Sequence, residues 1–433
     1  MGQENKKFKL ILTGVFAFFI LLGLVAFSSF KATSDANNNV EISIWGTMDK
    51  IVFDSFISQY EQSKNLELKV KYTKKDISVI DGDLVEAIAT GKAPDVILIP
   101  QELIKRYLDK VYFISSITER MFKDTYIGES EMYIQPGGIF AVPFFVDPLV
   151  MYWNRDTFAS AGIANPPAKW SEFPIIASKI SESDNNNANI LKSAASLGEY
   201  RNVSNAKALL STLIMQAGSP IVSMDDNGSL RSFLYSRSEG DILIPAVSAL
   251  DFYTDYSNPK KSVYSWNRAL PMSKQFFLSG DLAIYFGFAS EANDLKEKNP
   301  NLNFDVAMMP QVVDAKTKVT YGELYGFAIL KSSPNSVPAF NLISTITSAD
   351  AIPELLKYMF AAPARRDLIA AGSKDAGQTV FNNSALIARG WIDPDSKKTD
   401  LVLQNMVEDV TTGRLTSNDS VQKASTEFDN LLQ

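Results

Sequence analysis

The chain contains no cysteine and no histidine among its 433 residues. Disulfide bonds, thiol nucleophiles and imidazole bases are therefore excluded, and so are the usual protein ligands of zinc and haem. We expect neither a metal site nor a cofactor, and an enzyme built from this sequence would depend on carboxylates, lysine, tyrosine or serine. The absence of cysteine also fits a protein that folds outside the cytosol without disulfide-forming machinery.

Basic side chains are in the minority. The sequence has 42 Lys and Arg against 49 Asp and Glu, a net charge of −7. Without residues 1–31 the remainder carries 38 basic and 48 acidic side chains, a net charge of −10. Nucleic acid is therefore not an expected partner. The length and a 46% hydrophobic composition predict two or three domains with well-formed cores.

A long uncharged segment lies near the N-terminus. Residues 10–30 form a run of 21 residues without a charge, and at about 1.5 Å per residue a helix of this length crosses a bilayer core of about 30 Å. Three lysines precede it, so the positive-inside rule places residues 1–9 in the cytosol and the bulk of the chain outside. We predict a single-pass anchor in the cell membrane followed by a polar tether over 31–39, with a cleaved signal peptide as the alternative.

The sequence is organised around the apolar and aromatic run FAVPFFVDPLVMYWNRDTF at residues 140–158. Pro143 and Pro148 lack the N–H that a central strand donates, so we expect them to divide the run into a short strand, a crossing segment and a second strand over 149–153. Such a pattern is typical of a chain that passes between two domains. Asp147 is the only charged side chain between Gln135 and Arg155, and it either forms an Asx-type turn before Pro148 or faces a ligand.

Strands and helices alternate before this run. Apolar residues at period two predict strands over 40–45 and 66–72, and the wholly apolar 96–99 predicts a strand buried on both faces. A helix capped by Asp49 and a second helix around 84–89 lie between the strands. The β-α-β-α-β order predicts an α/β fold with a parallel, doubly wound sheet, which binds ligands outside the carboxyl ends of its strands.

Later segments give further local predictions. The sequence Asp-Asp-Asn-Gly at 225–228 favours a hairpin turn over a calcium loop. A strand is predicted over 282–286, and another over 321–331, interrupted by Gly322 and Gly326. We expect Phe145, Tyr152 and Trp153 to belong to a core and not to a ligand site. The tryptophans at 170, 266 and 391 are candidates for surface contacts.

Several segments, taken together in this order, resemble the extracellular solute-binding proteins of ABC importers, specifically the family-1 group that includes maltose-binding protein. They span most of residues 40–348. The segments are ISIWGTMDK, GKAPDVILIP, GGIFAVPFFVDPLVMYWNRDTFASAGI with PPAKWSEF, FLSGDLAIYFGFAS, NFDVAMMPQ and YGELYGFAILKSSPNSVPAF.

The resemblance implies a periplasmic-binding-protein-like fold, in which two doubly wound α/β lobes close on a ligand in a central cleft. It implies hinge crossings near Asp147, near Pro310 and over 347–353. Lobe 1 is expected to comprise 40–146 with 311–350, and lobe 2 to comprise 147–310 with 351–433. The ligand contacts implied are Trp45, Thr47, Gln101, Glu102, Asp147, Phe288, Glu323 and Tyr325.

The same resemblance implies a function. Aromatic faces and hydrogen-bonding carboxylates suit a sugar, so we expect a monomeric, non-enzymatic receptor that delivers a sugar or oligosaccharide to an ABC permease. Two departures from the family pattern are a membrane helix in place of the lipid-modified cysteine of many members, and Phe288 where a stacking tryptophan is common.

Two other functions stay open at this point. One is a glycoside hydrolase that pairs Asp147 with Glu102 or Glu323 as its two carboxylates. The other is an anchored surface domain that binds a polymer or a protein.

Overall fold

A computed structural model describes residues 40–184, 189–237, 243–315 and 317–433. The predicted membrane helix over 10–30 and the tether over 31–39 lie outside the described residues. Within the described ranges, no helix has both the length and the apolar character needed to cross a membrane.

The described chain begins with the predicted alternation of strands and helices. Its elements are β1 Ile42–Gly46, α1 Lys50–Lys64, β2 Val70–Lys74, α2 Ile80–Ala89, β3 Val96–Pro100, α3 Ile104–Tyr107, α4 Glu119–Thr125, β4 Ile134–Gln135 and β5 Gly138–Ile139. Strand β1 pairs in parallel with both β2 and β3. Asp49 caps α1 by accepting a hydrogen bond from the N–H of Ile51 at 2.9 Å. The predicted β-α-β-α-β unit is confirmed.

The middle of the chain adds a second set of strands and helices. They are β6 Val142–Asn154, α5 Arg155–Ser160, α6 Phe173–Ile180, β7 Glu182–Ser183, β8 Ile190–Ala195, α7 Ala206–Ala217, β9 Val222–Met224, β10 Leu230–Ser232, α8 Pro245–Asp255, α9 Ser273–Leu278, β11 Leu282–Phe288, α10 Glu291–Lys298 and β12 Phe304–Ala307. Strands β9 and β10 are antiparallel, and Asp225 accepts hydrogen bonds from the N–H groups of Asn227 and Ser229 in the turn between them. The predicted hairpin is confirmed.

The last part of the chain contains one long strand followed mainly by helices. The elements are β13 Thr320–Ile329, α11 Ser336–Ile346, α12 Ile352–Leu355, β14 Ala362–Pro363, α13 Arg366–Ala370, α14 Ala376–Leu386, β15 Ala388–Arg389, α15 Ser396–Thr411 and α16 Ser417–Leu432. The prediction that glycines interrupt β13 is wrong. A Cβ at Gly326 would lie 2.6 Å from the ring of Tyr133, and one at Gly322 would lie 2.8 Å from the Cβ of Ala388. These glycines therefore allow close packing inside a continuous strand.

Strand β6 is a single strand of 13 residues, so the prediction that its prolines divide it is wrong. Pro148 lies where β6 changes partner from β13 to β11. Its carbonyl accepts a hydrogen bond from the N–H of Ala289 at 3.0 Å. Because N–H and C=O of a strand residue point to the same side, the absent N–H of Pro148 interrupts no bond with β13. Pro143 lies beside a bulge at Tyr325 and Gly326, where proline is tolerated.

The strands form one mixed sheet in the order β2-β1-β3-β13-β6-β11-β8-β7. Two hydrophobic cores lie along it. The first takes buried side chains mainly from 42–146 and 324–369, and the second mainly from 149–321 and 381–428. Both β6 and β13 contribute to the two cores. We call the part of the molecule around the first core the first half and the part around the second core the second half; each of these two strands runs from one half to the other.

The cores bear on the proposed lobe boundaries. Buried side chains from Ala351 to Ile369 belong to the first core, together with Ala385 and Ala388, although the sequence assigned 351–433 as a whole to lobe 2. The division into lobes stays a proposal, and the packing favours placing 351–369 with lobe 1.

The large aromatic side chains of the middle region are mostly internal. Phe145 and Tyr152 are buried as predicted, and Trp153 packs against the second core. Trp266 is fully buried and Trp170 and Trp391 are nearly so; these three belong to the second core and not to the surface.

Candidate functional site

Asp147 and Glu323 form the centre of the candidate site. They lie directly opposite each other in the antiparallel ladder between β6 and β13, so their side chains share one face with Cβ atoms about 5 Å apart. Phe145 and Tyr325 are the next opposed pair on that face. Their rings stack with centroids 4.6 Å apart and an interplanar angle of 15°. Two carboxyl groups and two aromatic rings therefore meet where β6 leaves the first core.

Asp147 is only 6% exposed. Its Oδ1 accepts a hydrogen bond from the N–H of Ser290 at 3.0 Å. Because Asp147 lies inside a continuous strand, the Asx-turn alternative is wrong. Burial raises the pKa of Asp147 to about 7, against hydrogen bonds from Ser290 that lower it, and the charge of Glu291 raises it further. The carboxyl group is therefore poised between its two protonation states near neutral pH.

Glu323 is half-buried and accepts a hydrogen bond from the Tyr325 hydroxyl at 3.1 Å. Removal of water by the surrounding protein raises the pKa of Glu323 to about 8, because it disfavours the charged form. The negative charges of Glu102 and Asp147 add to this rise. The Tyr325 hydroxyl and the Lys207 ammonium group lower it. Two opposed carboxyls cannot both ionise easily, so Asp147 and Glu323 titrate as a pair that retains a proton near pH 7.

Gln101 follows directly after β3, and its side chain supports the backbone of β13. Its side chain is 1% exposed. Its Nε2 donates to the carbonyl of Gly322 at 2.7 Å, and its Oε1 accepts from the N–H of Leu324 at 2.8 Å. These bonds fix the backbone on both sides of Glu323. The predicted ligand contact at Gln101 is untested, and these bonds give it a supporting position.

A cluster from the second half of the molecule lies near these acids. Lys207 Nζ donates to Asp393 Oδ2 at 2.6 Å and to the carbonyl of Ser396 at 3.0 Å. The same ammonium group lies 5.4 Å from the ring centroid of Trp391. The Ser396 hydroxyl donates to the carboxylate of Glu102, which comes from the first half. Sequence reasoning missed this cluster, because Lys207 and Asp393 are 186 positions apart and neither lies in a motif.

Phe288 ends β11 and lies opposite Leu149 in the ladder with β6. Since Leu149 is two residues from Asp147, the three side chains share a face. The Phe288 ring lies edge-on to Tyr321, with centroids 6.3 Å apart. Tyr321 was not predicted as a contact, although its position two residues before Glu323 was a usable signal.

Trp45 and Thr47 lie at the carboxyl end of β1, two strands away from β13 in the sheet. Lys75 Nζ lies 4.0 Å from the ring centroid of Trp45, so one face of the indole is covered. The Thr47 hydroxyl oxygen is buried and makes no hydrogen bond to any described residue.

The two halves touch beside Glu102. Lys397 Nζ donates to the carbonyl of Ser78 at 3.1 Å, and Lys105 Nζ donates to the carbonyl of Leu432 at 2.9 Å. An open groove of about 330 Å³ lies at this contact. It is lined by Ile77, Ser78, Asp81, Gly82, Glu102, Leu103, Arg106, Pro394, Asp395, Ser396 and Lys397.

A sequence model for the family described as bacterial extracellular solute-binding protein matches residues 53–353. The chain belongs to this family. The resemblance noted in the sequence is thereby confirmed, and so is the periplasmic-binding-protein-like α/β fold. The family consists of binding proteins and not of enzymes.

Solved structures share the fold of this solute-binding protein. A cyclic α-maltosyl-1,6-maltose-binding protein from Arthrobacter globiformis has a TM-score of 0.73 at 16% identity, covering 91% of this chain and 99% of its own. A cyclo/maltodextrin-binding protein complexed with maltotetraose has a TM-score of 0.72 at 15% identity, covering 90% and 97%. The sugar-binding protein from Xanthomonas citri has a TM-score of 0.70 at 17% identity, also covering 90% and 97%.

Curated relatives match a shorter stretch. Binding proteins from Brucella abortus and Brucella suis are 23% identical over 229 residues, which is 53% of this chain. The chain spans about half, 51%, of the length of these relatives.

Proposed function

We propose that this solute-binding protein captures a carbohydrate in the cleft between its halves and delivers it to the permease of an ABC importer. The observation that carries the proposal is the shared face of Asp147, Glu323 and Tyr325. Carboxyl oxygens there accept hydrogen bonds from sugar hydroxyls, and the tyrosine ring packs on the apolar face of a pyranose. The maltotetraose bound by one structural neighbour supports a sugar ligand.

The remaining contacts are part of the same proposal. Trp45, Thr47 and Glu102 supply the wall from the first half, and Phe288 supplies an aromatic edge from the second. Gln101 acts indirectly, because its side chain holds the backbone of β13 on both sides of Glu323.

We further propose how the protein is placed and how it moves. Residues 10–30 anchor a monomer in the membrane with the binding region outside the cell. The ligand binds the closed arrangement of the halves more tightly than the open one, and this difference in affinity drives closure. The contacts of Glu102 with Ser396 and of Ser78 with Lys397 are those that closure makes or breaks.

A thermal-shift screen of the full-length chain tests the ligand class. The protein is held in a detergent without a sugar headgroup, because a maltoside detergent would compete for the site. Maltose, maltotetraose, glucose, galactose and glucosamine are compared with amino acids and polyamines. A sugar that binds only the folded state raises the melting temperature. A shift with polyamines or amino acids and none with any sugar would contradict the carbohydrate proposal.

Turnover is measured on the same samples. Sugar hydrolysis that is lost in Asp147→Asn would replace the receptor proposal with a glycoside hydrolase, whereas a ligand recovered unchanged supports a receptor.

The absence of native cysteine allows closure to be measured directly. Ser63 lies on α1 and Ser178 on α6, both exposed and in different halves. Labels on Ser63→Cys and Ser178→Cys report the distance between the halves. We expect maltotetraose to shorten this distance, and Tyr325→Ala to abolish the change. An unchanged distance with bound sugar would exclude closure.

A further inference from the structure

Gly390 lies where the chain passes from one core to the other. The preceding strand β15 pairs in parallel with β13, and its Ala388 belongs to the first core. The following residue, Trp391, belongs to the second core. The backbone at Gly390 is therefore one of the connections that must adjust when the two halves move.

A buried carboxyl group holds this connection. Glu129 comes from the 3-10 turn Gly128–Tyr133 and is 2% exposed. Its Oε2 accepts a hydrogen bond from the N–H of Gly390 at 2.8 Å. Its Oε1 is buried and accepts no hydrogen bond that meets ordinary geometry within the described residues. A buried acid of this kind needs a reason beyond packing, because an unpaired carboxylate oxygen is costly away from water.

Gly390 is also pressed against Gln101. A Cβ at Gly390 would lie 2.1 Å from Gln101 Nε2 and 2.7 Å from Glu129 Oε1. Gln101 in turn bonds the backbone of Gly322 and Leu324. A continuous chain of contacts thus runs from Glu129 through Gly390 and Gln101 to the strand that presents Glu323.

We propose that Glu129 is a positioning residue that couples the crossing at Gly390 to the floor of the binding site at Glu323. The inference rests on the proposed function of that site. A shift of Gly390 during rearrangement of the halves moves Gln101, and Gln101 moves the backbone on both sides of Glu323. Glu129 therefore influences ligand affinity without touching the ligand.

The charges around Glu129 define its protonation. The guanidinium group of Arg389 and the phenol of Tyr133 are the titratable groups that face it, beside the neutral amide of Gln101. Burial raises the pKa of Glu129 to about 8, while Arg389, the N–H of Gly390 and the side-chain amide of Gln101 act in the opposite direction. At pH 7 the neutral acid is the main form, which removes the cost of the unpaired oxygen, and this form is lost as the pH rises past 8.

Three variants of the full-length protein test the coupling, in a detergent without a sugar headgroup and with maltotetraose as the probe. Glu129→Ala removes the bond to Gly390, and we expect an affinity loss of roughly tenfold. Glu129→Gln keeps the size and an acceptor for Gly390, so we expect affinity within about twofold of the parent at pH 7. Ser130→Ala is the matched control, because Ser130 is the next residue, is fully buried, and its hydroxyl also has no hydrogen-bond partner in the described part of the chain.

Two readouts separate positioning from a general loss of stability. Between pH 7 and 9 the affinity of Glu129→Gln should fall less steeply than that of the parent, because one titrating group has been removed. Without ligand, the distribution of distances between the labels at positions 63 and 178 should broaden in Glu129→Ala. It should stay unchanged in Glu129→Gln and Ser130→Ala.

The outcomes test the role of Glu129 and the proposed sugar-binding function separately. Parental affinity and distance in Glu129→Ala, or an equal affinity loss in Ser130→Ala, overturns the role of Glu129. If the parent binds no maltotetraose, that ligand is wrong, and the ligand-free distances alone decide on Glu129.

Discussion

Asp147 and Glu323 face each other across neighbouring antiparallel strands, and each has a pKa raised to near or above neutrality. Like charges directly opposite each other destabilise a sheet. The arrangement lies at the passage between the two cores, and acids with raised pKa values of this kind are candidates for a functional site.

The facing pair predicts how stability depends on pH. Both groups have a higher pKa in the folded protein than the value of about 4 expected when unfolded. Their contribution is therefore fully present below about pH 4 and is lost progressively as the pH rises from there through 7 and 8. Glu323→Gln should reduce this loss by about 2 kcal/mol.

The measurement is thermal unfolding of parent and variant from pH 5 to pH 9. Glu86→Gln on the exposed face of α2 is the control and should leave the profile unchanged. Identical profiles for the parent and Glu323→Gln would show that the pKa of Glu323 is not raised in the folded protein.

The Tyr325 hydroxyl predicts a separable effect on binding. Tyr325→Phe keeps the stack on Phe145 but removes the bond to Glu323. We expect sugar affinity to fall roughly tenfold while stability changes by about 1 kcal/mol or less. Calorimetric titration measures the affinity, with Tyr112→Phe at an exposed position as the control. Undiminished affinity in Tyr325→Phe would remove Tyr325 from the polar contacts.

Two glycines should respond in opposite directions to the same substitution. Gly326→Ala places a Cβ 2.6 Å from the Tyr133 ring in the core and should destabilise the protein by about 1–3 kcal/mol. Gly82→Ala lies within α2, where the added Cβ meets no atom within 4 Å, and should stabilise it by about 0.5–1 kcal/mol. Chemical denaturation measures the free energy of unfolding of both variants. Changes of the same sign in the two variants would refute the packing argument.

The pair of Lys207 and Asp393 predicts a large cost when broken. Burial raises the pKa of Asp393 and the charge of Lys207 lowers it. Lys207→Met leaves the buried acid without its counter-charge, with hydrogen bonds from Thr399 and the N–H of Asp395 remaining, and we expect a loss of about 3 kcal/mol of unfolding free energy. The pair of the exposed Lys398 and the half-buried Asp395 is the comparison, where Lys398→Met should cost about 1 kcal/mol or less. Similar losses in the two variants would contradict the role of burial.

Local patterns in the sequence were sufficient where neighbours in the chain decide the structure. The cap at Asp49, the parallel β1, β2 and β3, and the hairpin at Asn227-Gly228 all follow from short spacings. The prolines in β6 and the glycines in β13 led to wrong predictions. Whether a strand accepts such residues depends on which strand lies opposite and on whether a neighbouring ring, such as that of Tyr133, needs the space.

The deeper part of the site could not be read from the sequence. Nothing near Glu129 in the chain indicates that Gly390, 261 positions away, donates to it. Likewise, the use of Gln101 to hold the backbone of β13 became visible only in three dimensions. Sequence patterns predicted which strand ends carry the candidate residues, and tertiary packing determines which side chains there are exposed and which serve as supports.

The first core has a consequence for biosynthesis, because Ala385 and Ala388 pack with side chains that follow Val40. A nascent chain cannot complete that core until residue 388 has left the ribosome. We expect chains stalled before Ala388 to be degraded by protease and the finished protein to resist it.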